Sequence, residues 1–336
     1  MNQAISHESH FVHWKGNYDM KITVLDRCTV TNGDVSLTPL EVFGEVRYFD
    51  TVPAEDVPAT IGDSDAVIVN KAKITREVML ACPKLRFVGL FATGYNNIDV
   101  AAARELGVAV CNVPGYSTDS VAQLAFAFIL RFATSIDKYS ASTAKGDWAN
   151  SETFSYLSYP ISELAGKTLG IFGLGDIGKK VAKIGIAFGM KVIAVSRRRM
   201  YVEGVEFVTK EELFARSDYL TLHCPLTDET RGLVNRDTLA LMKPSAVLIN
   251  TSRGGVVEEE ALRAALNSGA IRGAGIDVLD TEPMTKGHIY LDTKNLTITP
   301  HVAWGSLEAR TRLIGMVAEN IRVFNEGGIL NRVELL

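Results

Sequence analysis

The sequence predicts an α/β chain made of two parallel-sheet domains. Three observations carry this. Short apolar runs alternate with helical patterns from Met20 onward. The runs are nearly continuous rather than period-two, as in strands buried on both faces under covering helices. The 336 residues, 47% hydrophobic and 22% charged, suit two cores better than one.

Residues 1–19 stand apart from the rest. They hold His7, His10 and His13, little apolar periodicity, and neither the charged start nor the apolar centre of a secretory signal. Three histidines at this spacing have metal-binding chemistry, but the segment reads as a disordered extension. Strands are then expected at 22–25, 46–49, 66–69, 87–90 and 108–110, with helical patterns between them, as at 75–82 and 100–106. A long helix is predicted to start at Ser117 or Thr118, after the breaker Pro114-Gly115. Its apolar face holds Val121, Leu124, Ala125, Phe128 and Ile129. A polar, aromatic stretch follows at 146–160. A second series places strands at 168–172, 192–195, 219–222, 246–250, 273–277 and 296–298, and a last helix at 307–324. Val69-Asn70-Lys71 and Leu222-His223-Cys224-Pro225 hold similar places in the two series, a weak internal repeat.

Bulk properties exclude some functions. A net charge of −4 has no basic footprint for nucleic acid. The longest apolar stretch, 121–130, contains Gln123 and stops at Arg131, too short to cross a bilayer. Cys28, Cys82, Cys111 and Cys224 form no C-x-x-C pair. That points to reduced thiols in a cytoplasmic setting, with no zinc or other metal site.

The strand 168–172 runs directly into Gly173-Leu174-Gly175-Asp176-Ile177-Gly178, and a helix with Val181, Ile184 and Ala187 on one side follows. Between a strand and a helix this G-x-G-x-x-G is a dinucleotide-binding signature. Gly173 makes the tight turn, Gly175 lets backbone approach the pyrophosphate, and Gly178 allows close helix packing. The helix start, at Asp176 and Ile177, offers free N–H groups to phosphate. The next strand ends at Ser196, where NAD-selective sites carry a carboxylate for the ribose 2′-hydroxyl. Arg197, Arg198 and Arg199 follow. A missing carboxylate and nearby guanidinium groups favour a 2′-phosphate, so NADP(H) is expected over NAD(H).

Three later segments each follow a strand: Asn250-Thr251-Ser252-Arg253-Gly254-Gly255, the run from Gly275 through Asp277 to Glu282-Pro283, and Thr299-Pro300-His301-Val302-Ala303-Trp304. An arginine, a glutamate and a histidine are thus expected on the sheet edge where open α/β folds bind ligands. In this order they resemble the D-2-hydroxyacid dehydrogenase family over nearly the whole chain from Met20. Ala92-Thr93-Gly94-Tyr95-Asn96, Asn112-Val113-Pro114-Gly115-Tyr116-Ser117-Thr118, Ser120-Val121-Ala122-Gln123 and His301-Val302-Ala303-Trp304 are most similar to its glycerate dehydrogenase/hydroxypyruvate reductase branch.

The resemblance implies two Rossmann/flavodoxin-like domains with a cleft between them. Residues 20–118 plus 304–336 would form the substrate domain and residues 119–303 the dinucleotide-binding domain. It implies His301 as general acid, Glu282 as the partner that fixes its tautomer and favours the imidazolium, and Arg253 as the binder of the substrate carboxylate. Asp277 would accept from the nicotinamide amide, and His223, Pro225, Thr230 and Thr251 would line the cofactor. Lys71 and the N–H groups of Thr93 and Gly94 would meet the substrate, a small 2-keto or 2-hydroxy acid. A homodimer is implied, with the 146–160 arm at its interface. Glyoxylate or broad 2-keto acid reduction and phosphoglycerate oxidation remain alternatives, as does a dinucleotide-sensing corepressor. Formate dehydrogenation is disfavoured, because that branch has glutamine where Glu282 stands.

Overall fold

A computed structural model describes residues 19–197 and 201–336. The expected extension at 1–19 therefore lies outside the described residues except for Asp19, as does Arg198. The chain divides into two compact units, one running to Tyr116 and resuming at Leu307–Leu336, the other Ser117–Ser306.

The first unit holds strands β1 (Met20–Val24), β2 (Gly44–Tyr48), β3 (Ala66–Val69), β4 (Phe87–Leu90) and β5 (Ala109–Cys111). They form one sheet in the order β2-β1-β3-β4-β5, every pair parallel. This is the flavodoxin-like order, reversing beside β1. Alternate residues leave opposite faces, and both faces are buried. Val67, Val69, Val88 and Leu90 join one core with Ile61, Val78 and Ala102. Ile68 and Phe87 are buried on the other side, where Phe87 meets Phe324 of the last helix, Leu307–Asn325, at 5.1 Å between ring centroids. Burial on both faces is why β3 and β4 read as unbroken apolar runs. The chain end covers the edge at β5: Cys111 bridges Arg332 antiparallel, and the buried Glu334 carboxylate accepts from Val110 N–H at 2.9 Å.

The second unit adds β6 (Thr168–Phe172), β7 (Lys191–Val195), β8 (Val205–Phe207), β9 (Tyr219–Leu222), β10 (Val247–Asn250), β11 (Gly273–Ile276) and β12 (Leu296–Ile298). Their order is β12-β11-β10-β9-β6-β7-β8, again all parallel. The strand order reverses between β6 and β9. Open α/β sheets bind ligands at such a switch point, beyond the carboxyl ends of the strands. Leu220, Leu222 and Leu248 pack on one face of this sheet, with Phe214 and Leu262. Leu169, Ile171 and Ile249 pack on the other, with Phe128, Ile129 and Val181. Phe128 and Ile129 come from helix Thr118–Thr134, whose apolar stripe is spent on this core. No single helix among the described residues is long and apolar enough to cross a membrane.

Candidate active site

Because the seven strands of the second unit are parallel, the segments after β6, β7, β9, β10, β11 and β12 leave the sheet on one edge. Between β6 and helix Asp176–Ala187 lies the glycine loop. Gly173 has φ +98°, and its N–H donates to Val195 C=O at 2.9 Å. A Cβ there would stand 2.6 Å from His223 O, so the loop must lie directly on the segment after β9. A Cβ on Gly178 would stand 2.2 Å from Gly173 O, so helix and turn are in backbone contact. Gly175 has open space beside it, and no side chain caps the helix whose first residues are Asp176 and Ile177. The first-turn amides stay available for an anion, which is the shape a pyrophosphate needs.

Other residues expected on the cofactor side surround this loop in the sheet order. Ser196 follows β7 and is half-buried, with Arg197 exposed beside it. His223 Nε2 lies 2.9 Å from Thr221 Oγ1, whereas its Nδ1 is buried with no partner among the described residues. Burial pushes this imidazole down to about 3. The Thr251 hydroxyl is likewise buried without a partner. Orphaned polar atoms in the segments after β9 and β10 are what a polar ligand would satisfy. Thr230 is already engaged: its Oγ1 donates to Pro225 O at 2.7 Å and builds the turn after His223.

Past β10, Asn250 shapes the turn that presents Arg253. Its Oδ1 accepts from Ser252 N–H and Oγ, and its Nδ2 donates to Arg253 O at 2.9 Å. Arg253 is exposed, donates Nη1–H to Ser252 O, and faces no carboxylate among the described residues. Gly254 presses against the segment after β11, since a Cβ there would stand 1.8–2.2 Å from Leu279 C, Leu279 O and Asp280 N. The stretch carrying Arg253 and the stretch carrying Glu282 are thus in backbone contact.

Glu282 spends one oxygen locally, Oε1 accepting from Leu279 N–H at 3.0 Å. Its Oε2 lies 2.7 Å from His301 Nδ1. A carboxylate partner makes Nδ1 the donor, and Nε2 is then left for proton exchange with a ligand. His301 has φ +54°, a left-handed conformation uncommon outside glycine. Its N–H donates to Asp277 O and Thr299 O. The Asp277 carboxylate accepts from Thr299 Oγ1 at 2.5 Å, Val302 N–H at 2.9 Å and Ala303 N–H at 2.8 Å. Ser120 Oγ donates to Ala303 O at 2.6 Å. Asp277 therefore builds the strained turn around His301, a duty beyond the nicotinamide contact expected of it. Neither this nor the turn-making by Asn250 and Ser120 had a signal in the sequence, because their partners are backbone groups brought in by the fold.

In the first unit, Lys71 is exposed on a loop pinned by buried Asp26, whose carboxylate accepts the N–H groups of Asn70, Lys71 and Ala72 at 2.6–2.9 Å. The Thr93 hydroxyl turns inward to Val113 O at 2.8 Å. The N–H groups of Thr93 and Gly94 have no acceptor among the described residues.

Residues 126–303 match the family described as D-isomer specific 2-hydroxyacid dehydrogenase, NAD binding domain. The chain is 40% identical to a hydroxypyruvate reductase of Blautia hydrogenotrophica, covering 94% of this chain and 99% of that one. It is 38% identical to a glycerate dehydrogenase of Methylorubrum extorquens, over 86% and 91% of the two chains. Among solved structures, the NADPH-dependent glyoxylate/hydroxypyruvate reductase of Sinorhizobium meliloti, in complex with NADP and malonate, superposes with a TM-score of 0.80. It is 30% identical, with 94% of this chain and 96% of that chain covered.

Proposed function

The chain belongs to the D-2-hydroxyacid dehydrogenase family of oxidoreductases, and we propose that it reduces hydroxypyruvate to D-glycerate with NADPH. The observation that carries the reaction is the 2.7 Å contact between His301 Nδ1 and Glu282 Oε2, which leaves the other ring nitrogen for the substrate oxygen. When bound, the reduced nicotinamide supplies a hydride to C2 of the 2-keto acid. Arg253 holds the substrate carboxylate through its planar guanidinium and polarises the carbonyl. His301, as imidazolium, releases its Nε2 proton to the carbonyl oxygen as that oxygen gains negative charge. Glu282 keeps the ring oriented and compensates its charge. In oxidation the same nitrogen takes the proton back. To Lys71, Thr93 and Gly94 we assign substrate contacts, and to the glycine loop, Ser196, Arg197, His223, Pro225, Thr230, Thr251 and Asp277 cofactor contacts.

NADPH is favoured by what stands after β7. Ser196 cannot repel a 2′-phosphate as a carboxylate would, and Arg197 adds an exposed guanidinium. The relative from Sinorhizobium, whose complex contains NADP, supports the same choice. Hydroxypyruvate is the substrate we assign because two relatives that match over most of their length are named for hydroxypyruvate and glycerate; relatives named for glyoxylate make it the second candidate. Steady-state kinetics with hydroxypyruvate, glyoxylate, pyruvate and bulkier keto acids test both choices. The expected result is the highest kcat/KM for hydroxypyruvate and at least about a tenfold advantage of NADPH over NADH, about 1.4 kcal/mol. A preference for NADH or for glyoxylate removes the corresponding choice. The four free cysteines suit a reducing, cytoplasmic setting.

A further inference from the structure

We propose that Glu259 and His288 form a second carboxylate–histidine pair that holds the turn carrying Glu282, making Glu259 a positioning residue for proton transfer at His301. This rests on the roles given above to Glu282 and His301.

Two neighbouring amides in that turn are each taken by a carboxylate. Leu279 N–H donates to Glu282 Oε1 at 3.0 Å, and Asp280 N–H donates to Glu259 Oε1 at 3.1 Å. The peptide between them is the same one on which Gly254 sits without a Cβ. Its plane is thus fixed from two sides, by Glu259 and by the backbone that follows Arg253. Leu279 N–H belongs to the preceding peptide, which joins this one at Leu279 Cα. If that Cα shifts when the support is lost, Leu279 N–H leaves Glu282 Oε1, and the other end of the same carboxylate loses its fixed approach to His301.

Glu259 is itself well anchored. It opens helix Glu259–Ser268, where the helix dipole favours a negative charge. Its Oε2 lies 3.1 Å from His288 Nε2, and His288 Nδ1 accepts the Tyr290 N–H at 3.3 Å. The acceptor role of Nδ1 places the ring proton on Nε2, aimed at Glu259. The side chains of His288 and Glu259 are 10% and 21% exposed, against 28% and 32% for His301 and Glu282. The supporting pair is therefore the more buried of the two. Secluding a carboxylate and an imidazole costs desolvation, and a simple surface tie would not need it. Rigid support behind a reacting pair matters because small displacements of the donor cost rate.

Glu259→Ala in the full chain tests this, with hydroxypyruvate and NADPH as reactants. The expected result is a fall in kcat of about tenfold, NADPH binding by fluorescence titration unchanged within about twofold, and a larger solvent deuterium isotope effect on kcat as proton transfer becomes limiting. Glu259→Gln should lie between, because its amide oxygen still accepts from Asp280. A Glu259→Ala protein with wild-type kcat and isotope effect overturns the proposal. So does a loss of rate with the isotope effect unmoved, which is the mark of a merely structural role. If Glu259→Ala does not fold, His288→Asn carries the test: the isotope effect should rise by a smaller amount, and an unmoved one overturns the proposal. His301→Gln separates the two levels. If it stays active, the reading of His301 falls and the role of Glu259 with it. If it is inactive while Glu259→Ala behaves as wild type, only Glu259 loses its role.

Discussion

His223, proposed above to line the cofactor, shows at the scale of one residue what burial does to an imidazole. Its ring is driven neutral by burial, down to about 3, and its Nδ1 is buried with no partner among the described residues. An unfolded chain binds a proton here once the pH falls below about 6.5, whereas the folded chain does not until about 3. The stabilising term is fully present above about 6.5 and is lost on acidification at about 1.4 kcal/mol per pH unit. Urea unfolding at pH 7 and pH 5 should therefore show a stability loss about 2 kcal/mol smaller in His223→Asn than in wild type. Equal losses in both would contradict this account of the site. The places of Arg253, Glu282 and His301 past their strands were legible in the sequence, because each sits in a short motif just past an apolar run. Asn250, Asp277 and Glu259 were not legible as organisers. Their partners are amides and a histidine that only the folded loops bring within 3.1 Å.

At the scale of elements, strands were read best where both faces are buried. Ala66–Val69, Phe87–Leu90, Thr168–Phe172 and Tyr219–Leu222 have the bounds expected from their apolar runs, and so does the less buried edge strand Leu296–Ile298. The edge strand Val205–Phe207 escaped notice because its middle residue is the exposed, charged Glu206, which breaks the apolar run. Helix Lys210–Arg216 was also passed over, although its capping box was in plain view. The Thr209 hydroxyl takes the Glu212 N–H and the Glu212 carboxylate takes the Thr209 N–H. The tail that covers β5 could not be foreseen. Its contacts join Val110 to Glu334 and Arg104 to Leu336, more than 220 residues apart in the chain.

For the whole molecule, the two sheet orders make the doubly wound reading firm for each unit by itself. The arm between helix Ile136–Ala144 and β6 is a different matter, because it leaves its apolar side chains outside. Trp148, Phe154, Leu157 and Ile161 are 53–91% exposed. A set of this kind suits an interface, and we propose that it covers a second copy of the chain. Light scattering should then give twice the 36.6 kDa chain mass, and a monomer mass would contradict the homodimer. The central claim concerns one nitrogen atom of His301, and its most direct test is turnover by His301→Gln with hydroxypyruvate and NADPH, measured beside NADPH affinity. The account predicts kcat lower by about a hundred- to ten-thousandfold with NADPH affinity essentially kept. Turnover at the wild-type rate would contradict it.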